Sequence, residues 1–185
     1  MLLSMTSGQS NEATPADLKA LAHPLRMRIL RLCLHDSHTN KQIADRLDLD
    51  PATSLYHVRQ LAENGFLEAE PARTGKRGAL EKPYRATGKS WSLTFPRADE
   101  RLSTVLAGLD AARDEILAAG PDSVITNTRA GLRLSVADVD ELVERLQEVV
   151  KDFAQRPADP DGVRVGLITM LHHLDARKAA TASSD

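Results

Sequence analysis

From Pro15 onward the apolar positions Leu18, Leu21, Ala22, Leu25, Ile29, Leu32 and Cys33 recur every three or four residues, the period of one helical stripe. Pro24 interrupts that stripe because it has no amide to donate. The pattern therefore predicts a short helix, a break at His23 and a second helix opening at Pro24. Thr39-x-x-Gln42 is a capping box that starts a third helix, with Ile43, Ala44 and Leu47 facing inward. Asp50 followed by Pro51 is an acidic cap with proline at the first helical position, and Asn64-Gly65 supplies a stop, so a fourth helix is predicted over 51–64. "FLEAEPA" and "EKPYRAT" then read as short strands around the basic, glycine-containing loop "RTGKRGAL", a hairpin pattern.

The second half changes character. Leu102, Val105, Leu106, Leu109, Ile116 and Leu117 mark a long amphipathic helix ending near Gly120. Ser135 and Asp138 form another capping box, followed by Val139, Leu142, Val143, Leu146, Val149, Val150 and Phe153 on one face. "RAGLRLS" and "GVRVGLITML" on either side of that helix are predicted as strands. The expected fold class is mainly α with small β elements. It divides into a mobile tail (1–14), a domain of helices and a hairpin (15–96), a long helix (97–120), a small α+β region (121–176) and a second tail (177–185).

Composition narrows the functional classes. A 185-residue chain with 42% hydrophobic content can build a packed core. It has no apolar run long enough to span a membrane and no basic, apolar leader, so a soluble cytoplasmic protein is expected. The net charge of -2 conceals an asymmetry: residues before Arg97 carry 13 Lys and Arg against 10 Asp and Glu, or +3, whereas the remainder carries 11 against 16, or -5. A nucleic-acid partner for the first half is compatible with that distribution.

In the helix 51–64, Val58, Leu61 and one of Ser54 or Leu55 are expected to point inward, leaving Thr53, Tyr56, His57, Arg59 and Gln60 on or near the exposed side. Hydroxyl, imidazole, amide and guanidinium groups on one rigid helix face are the vocabulary for reading base edges in a major groove. Asn40 and Lys41 at the start of the preceding helix suit a phosphate, as do Arg73, Lys76 and Arg77 on the hairpin. A polar helix face is usually only solvated. Here the capped helix before it and the basic hairpin after it favour the DNA reading.

"LKALAHPLRMRILRLC", "NKQIADRLDLDPATSLYHVRQLAENGFLE" and "EKPYRAT", spanning roughly residues 16–95, resemble the ArsR-type winged helix-turn-helix regulators. The resemblance implies a homodimeric, bacterial-type transcription regulator, a repressor on an inverted-repeat operator in double-stranded DNA. It places Thr53, Ser54, Tyr56, His57 and Gln60 on the DNA-reading helix and Lys76 and Arg77 on the wing (73–80). It also implies that the partner subunit covers the stripe of Leu102, Val105, Leu106, Leu109 and Ile116. The metal-sensing Cys-x-Cys motif of that family is absent. Cys33 falls on a buried stripe while His35 points away from it, and His172 and His173 are adjacent near the chain end, so no metal site and no cofactor are expected. No nucleophile, base and orienting group occur together, which gives an enzyme no support. The region 121–176 is expected to extend the dimer, with a small-molecule effector pocket as its other use. A protein-interaction module on the same scaffold is the alternative for the whole chain.

Overall fold

The computed structural model describes residues 11–74, 78, 80–95, 97–157, 159 and 161–174. The wing residues Lys76 and Arg77 lie outside them. The chain divides into two compact units, one reaching Ile125 and one running from Thr126 onward.

In the first unit the order is β1 (Asn11–Glu12), α1 (Pro15–Leu21), α2 (Pro24–Leu32), β2 (His38–Thr39), α3 (Asn40–Leu47), α4 (Pro51–Glu63), β3 (Leu67–Ala69), β4 (Arg73–Thr74), β5 (Leu80–Glu81), β6 (Pro83–Ala86), α5 (Lys89–Ser92), β7 (Leu93–Thr94) and α6 (Ala98–Ala119). The break between α1 and α2 falls where the sequence places it. His23 adopts an extended conformation and its Nδ1 accepts the Leu25 amide at 3.2 Å, with Pro24 opening the helix. Thr14 and Asp17 form a capping box at α1, and Thr39 and Gln42 form the expected one at α3. Asp50 Oδ1 accepts the Ala52 and Thr53 amides at 2.8 and 3.2 Å, which satisfies the start of α4. Its end is closed by Gly65 at φ +72°, a conformation that lets the Phe66 amide reach back to the Leu61 carbonyl at 2.8 Å.

β2, β6 and β3 form an antiparallel sheet in that order, and β4 pairs with β5 as the wing hairpin, Arg73 opposite Glu81. β1 pairs in parallel with β7. Leu21, Ile29, Cys33, Ile43, Val58, Leu61 and Phe66 make the core where α1, α2, α3, α4 and the sheet meet. A polar link runs across this core. The buried Asp17 carboxylate accepts from Lys89 Nζ at 2.5 Å, and the same ammonium donates to the Asn64 carbonyl at 2.9 Å and lies 4.9 Å from the Phe66 ring centroid. It ties the start of α1 to the end of α4.

α6 packs against α2 by its small face. Ala107, Ala111 and Ala112 are buried, Gly108 lies beside Met27, and Arg31 of α2 pairs with Glu115. Small side chains let two helix backbones approach closely. The predicted stripe of large residues faces the other way: Leu102, Val105, Leu106, Ile116 and Leu117 are exposed and Leu109 is half-buried.

The second unit departs from expectation. α7 (Val136–Ala154) begins at the predicted Ser135 and Asp138 box. The segments expected to flank it as strands, 129–135 and 162–171, carry no strand pairing. A strand exists through hydrogen bonds to a neighbour, and in the described residues neither segment has one. No side chain among the described residues of this unit is buried.

Candidate nucleic-acid interface

α3 and α4 are joined by three residues, Asp48, Leu49 and Asp50, and Asp48 takes the left-handed conformation (φ 53°) that turns the chain. The Leu49 amide returns to the Ala44 carbonyl at 2.9 Å. Asn40 Nδ2 donates to the Pro51 carbonyl at 3.0 Å, and Ser54 Oγ lies 3.5 Å from the Asn40 carbonyl. These contacts lock the two helix starts together, with Ile43, Ala44, Val58 and Leu61 buried beneath. α4 is thus a helix whose inner face is fixed by the core and whose outer face is presented rigidly.

That outer face comprises Ala52, Thr53, Tyr56, Arg59 and Glu63, with Gln60 at its edge. The spacing of three and four makes it one continuous stripe. Tyr56 is 58% exposed. Gln60 is half-buried and its Nε2 donates to Glu63 Oε2 at 3.1 Å, a surface bond that water or a base edge can replace.

Two predicted site residues are not on this face. Ser54 is fully buried at the α3 contact. His57 is only 7% exposed, and its ring lies 4.7 Å from that of His23, with Tyr56 edge-on at 5.1 Å. The reason is spacing: 54, 57, 58 and 61 share one helical face, and the core side of the helix takes all four whatever their polarity. His57 is therefore a packing residue between α4 and the start of α2. Burial holds its pKa below the usual histidine value, helped by the charges of His23 and Arg26. Burial also lowers the pKa of His23, with Arg26 adding to the effect. Arg26 is itself buried, its Nε donating to the Ala20 carbonyl at 2.5 Å. This cluster was missed because its members come from separate helices.

The expected phosphate-facing residues sit on other elements of the same unit. Asn40 and Lys41 begin α3. Lys41 is exposed and pairs with Asp45 at 3.1 Å, a solvent-screened link that exchanges easily. Arg73 is exposed on β4, 3.8 Å from Glu81. Cys33 is fully buried, and burial pushes its thiol up to about 12 despite the opposing charge of Arg46. His38 is buried and its Nε2 lies 3.2 Å from Arg46 Nη1, while His35 is exposed. The described residues contain no group of three or more His, Cys, Asp or Glu placed to hold a metal ion, and no helix long and apolar enough to cross a membrane.

Residues 21–70 match the family model of a helix-turn-helix domain. That span takes in α2, the α3–turn–α4 unit and β3, and with the β4–β5 hairpin it defines a winged helix-turn-helix fold. This is the class of fold that carries the DNA-reading helix of transcription regulators. Comparison with curated proteins gives no match. Among solved structures, the apo C30AH42A mutant of Lactococcus lactis ZitR is similar at 18% identity and TM-score 0.32, covering 74% of this chain and 84% of that one. Wild-type apo MarR from E. coli is similar at 17% and 0.30, covering 75% and 78%. The heme sensor protein PefR from Streptococcus agalactiae, in complex with heme, is similar at 16% and 0.32, covering 74% and 78%. Likeness at this level carries no weight for function.

Proposed function

We propose that the chain is a homodimeric, ArsR-type transcription repressor that reads an inverted repeat in double-stranded DNA. The observation that carries this reading is the outer stripe of α4: Thr53, Tyr56, Arg59 and Gln60 stand on one rigid, core-anchored face at the position of a recognition helix. Arg59 and Gln60 suit base edges, while Tyr56 and Thr53 suit thymine methyls or phosphates. Asn40 and Lys41 at the start of α3 and Arg73, Lys76 and Arg77 on the wing neutralise phosphates. Ser54 and His57 take no part in reading bases. They set the angle at which α4 is presented.

Two recognition helices must lie about 34–36 Å apart to enter successive major grooves, so the reading needs a dimer. The stripe of Leu102, Val105, Leu106, Leu109 and Ile116 on α6 supplies an apolar face for it. The chain acts by binding rather than by catalysis.

The test is operator affinity of Tyr56→Ala and Arg59→Ala proteins at near-physiological salt. Each loses about 1–3 kcal/mol of specific affinity per base contact removed, while binding to unrelated DNA changes little. Full affinity in both would refute the placement of α4 and favour a winged helix that binds protein.

A further inference from the structure

His23 and His57 meet where the start of α2 packs on α4, and neither ring is placed to carry a positive charge. Their centroids are 4.7 Å apart and His57 is buried. His23 Nδ1 accepts the Leu25 amide, the bond that caps α2, so that ring is neutral with its proton on Nε2. His57 Nδ1 is buried and has no hydrogen-bond partner among the described residues. The Arg26 guanidinium is fixed nearby, its Nε donating to the Ala20 carbonyl at 2.5 Å and its Nη2 to the Lys19 carbonyl.

The charges that bear on the two rings are cations, Arg26 on both and His23 on His57. No carboxylate among the described residues offsets them. On α4 itself Tyr56 stands edge-on to His57 at 5.1 Å, while Arg59 and Glu63 are exposed. On α1, Asp17 is turned to Lys89 and Lys19 is exposed. On α2, Arg31 is paired with Glu115 of α6. On α3, Lys41 and Asp45 pair with each other at the surface and Arg46 lies against His38. Glu68 of β3 is exposed.

A proton added to His23 turns Nδ1 into a donor aimed at the Leu25 N–H, and α2 loses its cap bond. The His57 cation carries N–H on both nitrogens, so Nδ1 becomes a buried donor without an acceptor, beside two other cationic groups. Moving α4 away from the start of α2 hydrates both rings and relieves both conflicts. Tyr56 adjoins His57 and Thr53 lies one turn before it, so a shift of His57 re-aims the outer stripe. We propose that the joint of His23, His57 and Arg26 is a proton switch: uptake of a proton on either ring loosens α4 from the start of α2 and releases DNA. This rests on the DNA reading of α4 above and adds its regulation, with binding at neutral pH and release in acid. Burial and Arg26 hold both rings below the ordinary histidine value of 6.5 in the packed form, whereas hydrated rings return to it, so protons favour the open form. Between pH 7.5 and 5.5 the ratio of packed to open form falls by up to about tenfold per histidine. Histidine cations on their own strengthen binding to a polyanion, so a loss of affinity in acid identifies the geometric effect.

Two measurements on the full chain test the switch. In hydrogen exchange without DNA, corrected for intrinsic rates, the amides of α2 and α4 are expected to lose at least fivefold in protection between pH 7.5 and 5.5 while α6 keeps its own. Unchanged protection, or an equal loss in all helices, would overturn the proposal. In fluorescence anisotropy with the duplex that the protein itself selects from its source organism's DNA at pH 7.5, affinity is expected to fall at least fivefold at pH 5.5. His23→Asn keeps a capping acceptor that takes no proton in this range, and it should reduce that fall severalfold. Adding His57→Gln should leave less than a twofold change. Wild-type binding that is equal or tighter at pH 5.5, or a His23→Asn protein that loses as much as wild type, would overturn the proposal. Selection of no duplex at all would count against the DNA reading of α4, and the exchange result would still decide whether the joint opens.

Discussion

Lys89→Met removes the ammonium that joins three elements of the first unit and leaves every apolar contact of comparable size in place. In the native protein that ammonium lies 2.5 Å from Asp17 Oδ1 and 2.9 Å from the Asn64 carbonyl, and the Asp17 residue is only 3% exposed. Without it, Oδ1 loses its partner, and the carboxylate keeps only the Thr14 amide at 3.1 Å and the Thr14 hydroxyl at 2.8 Å, both on Oδ2. Breaking one side of a buried ion pair costs about 3–5 kcal/mol; with the Lys89 side chain one-third exposed, the expected loss is about 2–3 kcal/mol. For a unit of this size that lowers the melting temperature by roughly 8–12 °C. Urea unfolding at pH 7 should show a lower midpoint with an unchanged slope. The double variant Asp17→Asn, Lys89→Met, with no charge left to bury, should recover more than half of the loss. Burial drives the Asp17 carboxyl upward, and the Lys89 and Thr14 bonds more than offset it, so its folded value lies below 3.8. A depressed carboxylate contributes its stability above the unfolded value and loses it as pH falls through the folded one. The gap between wild type and Lys89→Met should therefore narrow as pH drops below about 4. A loss under about 0.5 kcal/mol at pH 7, or a double variant no better than the single, would refute the reasoning.

Other consequences follow from the same geometry. His23 and His57 both titrate below 6.5 because burial and Arg26 disfavour their cations, so stability is full above that pH and declines as pH falls through the folded values. Denaturation midpoints at pH 7.5 and 5.5 should differ in the wild type and differ less in His57→Gln; equal differences would be inconsistent with the buried pair. Cys33, with its thiol pushed up to about 12, should resist iodoacetamide at pH 8 until the protein unfolds, and rapid labelling of the native chain would contradict its burial. Replacing Lys76 and Arg77 by alanine should weaken binding to all DNA sequences alike and flatten the salt dependence by about 0.9 per lost contact. A loss confined to one sequence would place the wing on bases instead.

Features that rest on adjacent residues were legible in the sequence. The Thr39, Asp50 and Ser135 caps, the break at Pro24 and the stop at Gly65 each depend on a few neighbouring groups, and each stands where the chain predicts it. The candidate recognition helix followed from its caps and length. His57 shows where polarity misleads: its spacing from Ser54, Val58 and Leu61 marks it as inward, but the ring that receives it belongs to His23 on another helix. The Lys89 to Asp17 link was invisible for the same reason, since 72 residues separate its ends. On α6 the large residues drew attention to the open face, while Ala107, Gly108, Ala111 and Ala112 do the packing. The alternation in 129–135 and 162–171 states that these stretches suit a sheet. Among the described residues neither stretch gains a strand neighbour, so the alternation alone did not make a sheet.

The most direct test of DNA reading is to select bound fragments from the source organism's own DNA with the purified protein, at low and at near-physiological salt. A shared inverted repeat that survives the higher salt, with half-sites about one helical turn apart, is the predicted result. Fragments that bind only at low salt and share no motif would show that the outer stripe of α4 does not read bases.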